Sequence, residues 1–180
     1  MLTRRSRALL PMLALSLLVL VGGLNPAAAG YRRVQDPDDL EARVDVKWAS
    51  HGHVKGGEAL RHALGTYGRW RGRALRSYRA RIDFNLDKDG AAERQLRVRY
   101  RDGRLRAKMY RGELFGVEVP GRVKVRRANR RSMSVTFAPG MLRENLARYR
   151  WSLLVYLDAT CPGSCPSDSA PNRGWVKHRL

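Results

Sequence analysis

The sequence predicts an all-β protein, an antiparallel β-sandwich of about seven to nine strands with at most one short helix. Three observations support this class. Apolar and polar residues alternate with period two in one segment after another. Turn-forming residues separate these segments. Each segment has one apolar face and one polar face, which favours two packed sheets over a closed barrel.

Six segments show the alternation most clearly. They lie at 44–48, 78–86, 96–101, 105–109, 122–126 and 132–137. Asp102-Gly103 joins two of them as a two-residue hairpin turn, since glycine tolerates a positive φ. Asn129 lies between two others, and Pro139-Gly140 ends the last one. We therefore expect hairpins between neighbours in the sequence.

Four further segments are less regular. Residues 151–157 are almost continuously apolar and predict a strand that is buried on both faces. Residues 58–67 fit either a helix or a strand, and their strand neighbours favour a strand. Residues 141–148 predict one short helix. Residues 174–176 predict an edge strand that packs back on the domain.

The first 29 residues have the order of a secretory signal. Arg4, Arg5 and Arg7 precede an apolar run at 9–24, and small residues follow at 27–29. The apolar run is shorter than the roughly 20 residues that span a bilayer. We therefore expect cleavage before Gly30, a single domain over 30–180 without a membrane span, and a secreted or envelope-associated protein.

The chain is strongly basic. Its 180 residues include 36 Lys or Arg against 16 Asp or Glu, a formal charge of +20. Removal of a leader with three Arg leaves +17. Such a charge favours attraction to polyanions. The alternative is compositional: only six of the basic residues are Lys, and a GC-rich genome encodes Arg by default.

Two cysteines, Cys161 and Cys165, lie close together in the sequence. In an exported chain we expect them to form a disulfide with each other. A metal site would need further ligands, and only His178 is near in sequence. A redox pair more often has two intervening residues, whereas this pair has three.

The predicted hairpin around Asp102-Gly103 brings like charges together. Its exposed face carries Arg97, Arg99, Arg101, Arg104, Arg106 and Lys108. Like-charged cross-strand pairs cost stability unless an anion lies between them. Arg97, Arg99 and Arg106 are therefore candidate ligand-binding residues, and the alternative is a solvated face screened by salt.

A second basic segment interleaves aromatic and cationic residues. Arg69, Trp70, Arg71 and Arg73 have the composition of a site that combines ring stacking with contacts to phosphate or sulfate. The alternative is that Trp70 packs in the core while the arginines lie in water.

Residues 85–90 resemble the start of a calcium loop. An EF-hand is excluded because its twelfth position would be Leu96, where a bidentate Glu is needed. Asp87, Asp89 and Glu93 remain candidate ligands of a looser calcium site, with an ordinary Asp-Gly turn as the alternative. The acidic run Asp36, Asp38 and Asp39 either joins that ion or is solvated. His51 and His53 have no metal-binding partner near in sequence.

Several stretches resemble a group of uncharacterised secreted proteins of high-GC Gram-positive bacteria. The stretches are 36–39, 44–46, 66–70, 84–90 and 149–151. Those proteins are similar to family 9 carbohydrate-binding and DOMON-type modules. The resemblance implies a β-sandwich binding module, sometimes with structural calcium, and it transfers no ligand residue to this chain.

These features predict a secreted, non-catalytic binding module for an anionic polymer or a cell-wall glycan. No cofactor is expected apart from a structural calcium ion, and the oligomeric state is left open. One alternative is a small secreted hydrolase whose carboxylates converge in space, since no nucleophile motif is present. Another is a structural envelope protein without a soluble ligand. A glycan module is expected to present aromatic rings on an exposed face.

Overall fold

Two antiparallel sheets pack face to face, which confirms the predicted β-sandwich. The computed structural model describes residues 31–39, 44–112, 116–157 and 167–180. These residues form twelve strands, more than the seven to nine expected, because short edge strands flank the long ones. The predicted signal at 1–29 and the predicted Cys161–Cys165 disulfide lie outside the described residues.

Sheet A has five strands in the order β1-β2-β3-β9-β8. Their bounds are β1 Arg32–Gln35, β2 Val46–Val54, β3 Ala59–Thr66, β8 Lys124–Asn129 and β9 Ser132–Phe137. The segment at 58–67 is therefore a strand, as its neighbours indicated. It lies in the middle of the sheet between β2 and β9.

Sheet B has seven strands, built outward from the long strand β10. The strands are β4 Tyr78–Asn85, β5 Arg94–Arg101, β6 Arg104–Arg111, β7 Val117–Glu118, β10 Arg148–Leu157, β11 Ser167–Ala170 and β12 Val176–Arg179. One side of β10 pairs with β4. Its other side pairs with β11 over 153–156 and with β12 over 148–151. The predicted edge strand near 174–176 is thus β12, which begins at Val176.

The hairpin register predicted around Asp102-Gly103 is confirmed. Arg97 lies opposite Lys108, Arg99 opposite Arg106, and Arg101 opposite Arg104. The turn residues have φ values of 51° and 77°, the left-handed pair that a tight two-residue hairpin turn requires. Period-two alternation therefore decided which side chains face the solvent on both strands.

Two local expectations are wrong. Residues 141–148 form no helix; a short 3-10 turn at Pro139–Met141 buries Met141, and irregular backbone follows. Strand β10 is not buried on both faces. Trp151, Leu153 and Val155 are buried, whereas Ser152, Leu154 and Tyr156 are half-buried. The outer face of sheet B has no covering layer among the described residues, so only the inner face of β10 lies in the core.

The core fills the space between the sheets and is closed at one end by a second 3-10 segment, Gly72–Arg76. Its Leu75 is buried, and Gly72 lies against Tyr100 and Leu105 at the end of sheet B. No helix among the described residues has the length and apolarity needed to cross a membrane.

Candidate functional site

The basic segment at 69–76 lines a concave surface at this closed end of the sandwich. Arg69, Arg71, Arg73 and Arg76 surround a cavity of about 640 Å³, which Ser77 and Tyr78 also line. All four arginines are exposed. The structure therefore brings together three of the arginines that the sequence predicted as ligand-binding residues, and it adds Arg76.

A second cavity of about 520 Å³ adjoins the first and shares Arg69 with it. Its other walls come from Asn129, Arg130 and Arg131, at the turn between β8 and β9. The two cavities share Arg69 and together are called the basic groove, whose arginines are Arg69, Arg71, Arg73, Arg76, Arg130 and Arg131. Nothing in the sequence pattern linked the turn at 130–131 to the segment at 69–76.

Trp70 is among the residues that line the first cavity, but little of it reaches the solvent. It is only 4% exposed and packs in the core. The Arg127 guanidinium lies over the ring at 4.6 Å and also donates to the Trp70 carbonyl. The backbone N–H of Trp70 donates to the Arg130 carbonyl at 2.9 Å. This burial favours the alternative, in which Trp70 packs in the core, and its backbone contacts join the two walls of the groove from below.

The charges of the groove are not neutralised within the described part of the chain. None of its six arginines forms an ion pair there. Arg76 lies over the Tyr100 ring at 5.2 Å, which fixes its direction without reducing its charge. A groove of this kind favours a ligand that supplies several negative charges along its length.

The hairpin face of β5 and β6 is different, because most of its cations have partners on the same face. Arg97 donates to Gln95 Oε1 at 2.7 Å and lies over the Tyr110 ring at 4.7 Å. Arg106 pairs with Asp102 at 3.0 Å, and Lys108 pairs with Glu118 at 2.6 Å. Arg99 approaches the Tyr110 hydroxyl at 3.4 Å. These contacts relieve the like-charge repulsion that the sequence predicted.

The three predicted calcium ligands do not converge. Asp87 accepts two hydrogen bonds from Arg143 at 2.7 and 2.8 Å, and the hydrogen bond from Arg143 lowers the pKa of Asp87. Asp89 accepts from Asn85 and from the Ala91 N–H, and Glu93 accepts from the Leu86 N–H at 2.6 Å. The loop thus has the internal contacts of a turn, which was the alternative.

A different set of carboxylates does converge. Asp36, Asp39, Asp45 and Asp168 form the aspartate cluster, in which one oxygen from each lies within 4.8 Å of the others. Asp36 and Asp39 belong to the acidic run noticed in the sequence. Asp45 was assigned only to the polar face of a strand, and Asp168 was not singled out. Asp168 arrives from β11, far along the chain, so sequence neighbours carried no signal for it.

Burial raises the pKa values of two of the four aspartates, Asp36 and Asp45. Asp36 and Asp45 are 3% and 2% exposed. Loss of hydration raises the pKa of each to about 7, and the charge of Asp168 adds to the effect on both. The charges of Asp38 and Asp39 act in the same direction.

All four histidines of the chain meet in a second buried group. The histidine cluster consists of His51, His53, His62 and His178, packed with Tyr149 and Trp151 between the sheets. His51 and His62 are direct cross-strand neighbours in sheet A, and Tyr149 and His178 are direct neighbours in sheet B. The partner that His51 and His53 lacked in sequence is therefore His178, which β12 supplies.

Three of these imidazoles, those of His51, His62 and His178, have lowered pKa values. The pKa is about 4 for His51 and about 3 for His178, mainly because of burial, and nearby cationic groups act in the same direction. Burial likewise lowers the pKa of His62. His53 Nε2 lies 3.2 Å from His178 Nε2 and 3.2 Å from the Arg179 carbonyl. The cluster behaves as an aromatic part of the core with polar edges.

Exposed aromatic rings, the expected mark of a glycan module, occur on the outer face of sheet A. Tyr31 is 46% exposed. Trp48 lies flat on Gly65, where a Cβ atom would meet its ring at 2.3 Å, and Arg33 covers the ring at 4.5 Å. The two rings are thus accessible only in part, because an arginine lies over Trp48 and Arg61 lies near Tyr31.

No protein-family model matches the chain, and no curated protein matches it in sequence. Among solved structures, the chain is similar to the cytochrome domain of cellobiose dehydrogenase from Myriococcum thermophilum, with 10% identity and a TM-score of 0.44. The match covers 87% of this chain and 86% of that one. A likeness this weak carries no argument about a ligand or an activity of this chain.

Proposed function

We propose that this protein is a secreted, non-catalytic module that binds an extended anionic polymer of the cell envelope in the basic groove. One observation carries the proposal: six exposed arginines line two adjoining cavities, and none forms an ion pair within the described residues. Arginine forms paired hydrogen bonds with phosphate, sulfate and carboxylate groups, so such a surface suits a polyanion.

The shape of the groove favours a polymer over a single small anion. The two cavities have volumes of about 640 and 520 Å³ and meet at Arg69. Successive anionic groups of one chain occupy both cavities at once. The second then binds as part of the same molecule, which raises the overall affinity.

The backbone beneath the groove is held in place before a ligand arrives. Thr66 donates its N–H to the Arg131 carbonyl at 2.8 Å, and Trp70 donates to the Arg130 carbonyl at 2.9 Å. The Arg127 guanidinium completes the link between the two walls. A prepared surface loses less entropy on binding than one that must be ordered.

The hydrolase alternative has less support. Carboxylates do converge in the aspartate cluster, but Asp36, Asp45 and Asp168 are at most 6% exposed. A glycoside hydrolase needs two carboxyl groups that flank an accessible bond of its substrate. Burial of these side chains favours a structural role for the cluster over a catalytic one.

The proposal is tested by the salt dependence of binding to long-chain polyphosphate and to heparin, with neutral chitin oligomers as the uncharged probe. We expect the logarithm of the affinity for the two polyanions to fall linearly with the logarithm of the salt concentration, because bound counterions are released. The double variant Arg71→Gln with Arg73→Gln is expected to reduce that slope by about 1 to 2.

The matched control is Arg99→Gln with Arg106→Gln, which removes the same charge from the hairpin face. We expect this control to retain most of the slope, since those arginines have other contacts. If instead the control loses the slope and the groove variant keeps it, the ligand binds the hairpin face. Equal losses in both variants favour arginine bias without a specific site, and binding of chitin alone contradicts the anionic ligand.

A further inference from the structure

We propose that the aspartate cluster is a binding site for a divalent cation of the Ca²⁺ class. Four carboxylates, from Asp36, Asp39, Asp45 and Asp168, each place an oxygen within 4.8 Å of the others. Calcium binds oxygen ligands at about 2.3–2.6 Å, so two ligands on opposite sides of the ion lie roughly 4.8 Å apart. The spacing of the four oxygens therefore matches one shared ion of this size.

Buried oxygen atoms without donors provide a second, independent observation. Asp36 is 3% exposed, and among the described residues no N–H donor reaches either of its carboxylate oxygens, which instead face the carboxyl group of Asp168. Asp45 is 2% exposed, and its Oδ1 likewise has no such donor. A buried carboxylate without a donor or counter-charge is strongly unfavourable, and burial of this kind occurs where the group is paired or binds a metal.

The electrostatic surroundings lead to the same conclusion. Within the described residues, no Lys or Arg forms an ion pair with Asp36 or Asp45. This holds in a chain with 36 basic residues. A bound cation supplies the missing charge.

The donor set indicates which cation. All four donors are carboxylate oxygens, which are hard ligands that suit Ca²⁺ and Mg²⁺ rather than ions that prefer nitrogen or sulfur. Mg²⁺ requires near-octahedral geometry at about 2.0–2.1 Å and retains several waters. In a compact set of four carboxylates, the three buried ones leave little room for those waters, so Ca²⁺ is favoured.

The position of the site gives the ion a structural role. Asp36 follows β1 and Asp45 precedes β2 in sheet A, whereas Asp168 lies on β11 in sheet B. One protein contact already joins the sheets here, since the Val46 N–H donates to Asp168 Oδ2 at 2.5 Å. An ion shared by these carboxylates ties the edge of one sheet to the edge of the other.

The first test is thermal unfolding of the purified protein in chelator and in increasing CaCl₂, with MgCl₂ as the comparison ion. We expect the melting temperature to rise with Ca²⁺ concentration, by roughly 5–10 °C at a hundredfold excess over Kd, because the ion binds only the folded state. Mg²⁺ is expected to have a smaller effect. An unchanged melting temperature would show that protons or side chains neutralise the cluster, and would overturn the proposal.

Two exposed aspartates form a matched pair of variants that fold without difficulty. Asp39→Asn removes one charge from the cluster, and Asp89→Asn removes one from the loop that the sequence predicted as the calcium site. We expect Asp39→Asn to weaken Ca²⁺ binding about tenfold or more, since affinity follows the number of charged ligands. Asp89→Asn is expected to leave it unchanged. The opposite result would place the ion in the loop and contradict the proposal.

A readout that does not depend on stability completes the experiment. The Tyr67 hydroxyl donates to the Asp36 carbonyl at 2.7 Å, so an aromatic ring lies beside the cluster. We expect bound Tb³⁺ to emit when this ring is excited, and Ca²⁺ to displace the Tb³⁺. Tyr67→Phe should reduce the emission while Ca²⁺ still raises the melting temperature. Full emission in Asp39→Asn and none in Asp89→Asn would refute the site.

Discussion

The aspartate cluster and the histidine cluster are both groups of four like residues of which three are buried, yet they solve the problem of burial in different ways. Burial favours the neutral imidazole, because it lowers the pKa of His51 to about 4 and that of His178 to about 3. A buried carboxylate becomes neutral only if it gains a proton, and pKa values of about 7 place Asp36 and Asp45 at the limit. Histidine therefore needs no counter-charge inside this protein, and aspartate does.

The surroundings of the two clusters follow from this difference. His62 packs against the rings of Phe84, Phe137 and Trp151, with centroid separations of 4.9–5.9 Å. The aspartates lie at the edges of the sheets, where an ion from the solvent has access to the nearby exposed Asp39. A neutral ring is suited to the centre of the core, and a charged group to a place where its counter-ion enters.

The largest effect on stability is expected from Trp151, which packs against the histidine cluster. Trp151 is 1% exposed and packs on both His51 and His62. Trp151→Ala should lower the free energy of unfolding by about 3–5 kcal/mol, because a buried aromatic side chain is replaced by a cavity. Urea denaturation at pH 7.5 measures the change. A loss below about 1 kcal/mol would contradict aromatic packing as the basis of this cluster.

The pH dependence of stability separates the two clusters directly. The pKa of a buried imidazole falls from 6.5 in the unfolded chain to about 4 for His51. Its contribution is therefore complete above pH 6.5 and is lost as the pH falls toward 4. The pKa values of Asp36 and Asp45 are raised, so in chelator the contribution of these two groups is present below pH 3.8 and is lost as the pH rises toward 7.

In chelator, the imidazoles and the aspartates make stability depend on pH in opposite directions. Bound calcium is expected to keep the carboxylates ionised and so to remove the dependence that comes from the aspartates. We expect stability in calcium to fall by about 1–2 kcal/mol per buried imidazole between pH 7 and pH 5. In chelator the fall should be shallower. Denaturation curves at both pH values, with and without calcium, measure the difference. Identical slopes in the two conditions would show that the aspartates do not titrate as described.

A smaller effect is expected from the hydrogen bond that joins Tyr149 Oη to His62 Nε2 at 3.0 Å. Burial raises the pKa of Tyr149 and lowers that of His62, so a protonated hydroxyl meets a neutral ring. Tyr149→Phe leaves a buried ring nitrogen without its hydrogen-bond partner and should cost about 1–2 kcal/mol in denaturation. Tyr110→Phe, on the outer face of sheet B, is the control and should cost less than about 0.5 kcal/mol.

The smallest effect is expected at the rim of the histidine cluster. His53 is half-buried, and its Nε2 lies 3.2 Å from the Arg179 carbonyl. His53→Gln retains a polar group that reaches the same carbonyl, so the loss should stay below about 1 kcal/mol. Hydrogen exchange of the β12 amides provides a local measurement. A loss as large as that of Trp151→Ala would mean that the rim and the centre contribute equally.

The strands and the hairpin register were predictable, because period-two alternation and a two-residue turn depend on near neighbours. Arg99 opposite Arg106 is one such case. Half of the basic groove was predictable. The segment at 69–73 was recognised, whereas Arg130 and Arg131 lie in the turn between β8 and β9, far along the chain. Trp70 could not be placed from its neighbours, since a lone tryptophan among arginines fits a surface or a core equally well.

The two buried clusters were not predictable, for a physical reason. The contact from Val46 to Asp168 spans 122 residues, and the contact from His53 to His178 spans 125. Such pairs depend on which strands become neighbours in the sandwich, and alternation within a strand does not decide that. A calcium ion stays a prediction, and the residues at 87–93 that the sequence pattern proposed as its ligands have partners of their own.

Strands β11 and β12 lie end to end along the same side of β10. Asp168 comes from the first and His178 from the second, so residues 167–180 supply one member to each cluster. Neither cluster is complete until residues 167–180 have paired with β10. A chain without this segment would expose uncompensated carboxylates at one place and an open aromatic pocket at another. Loss of one short segment would therefore open two separate parts of the domain to proteases.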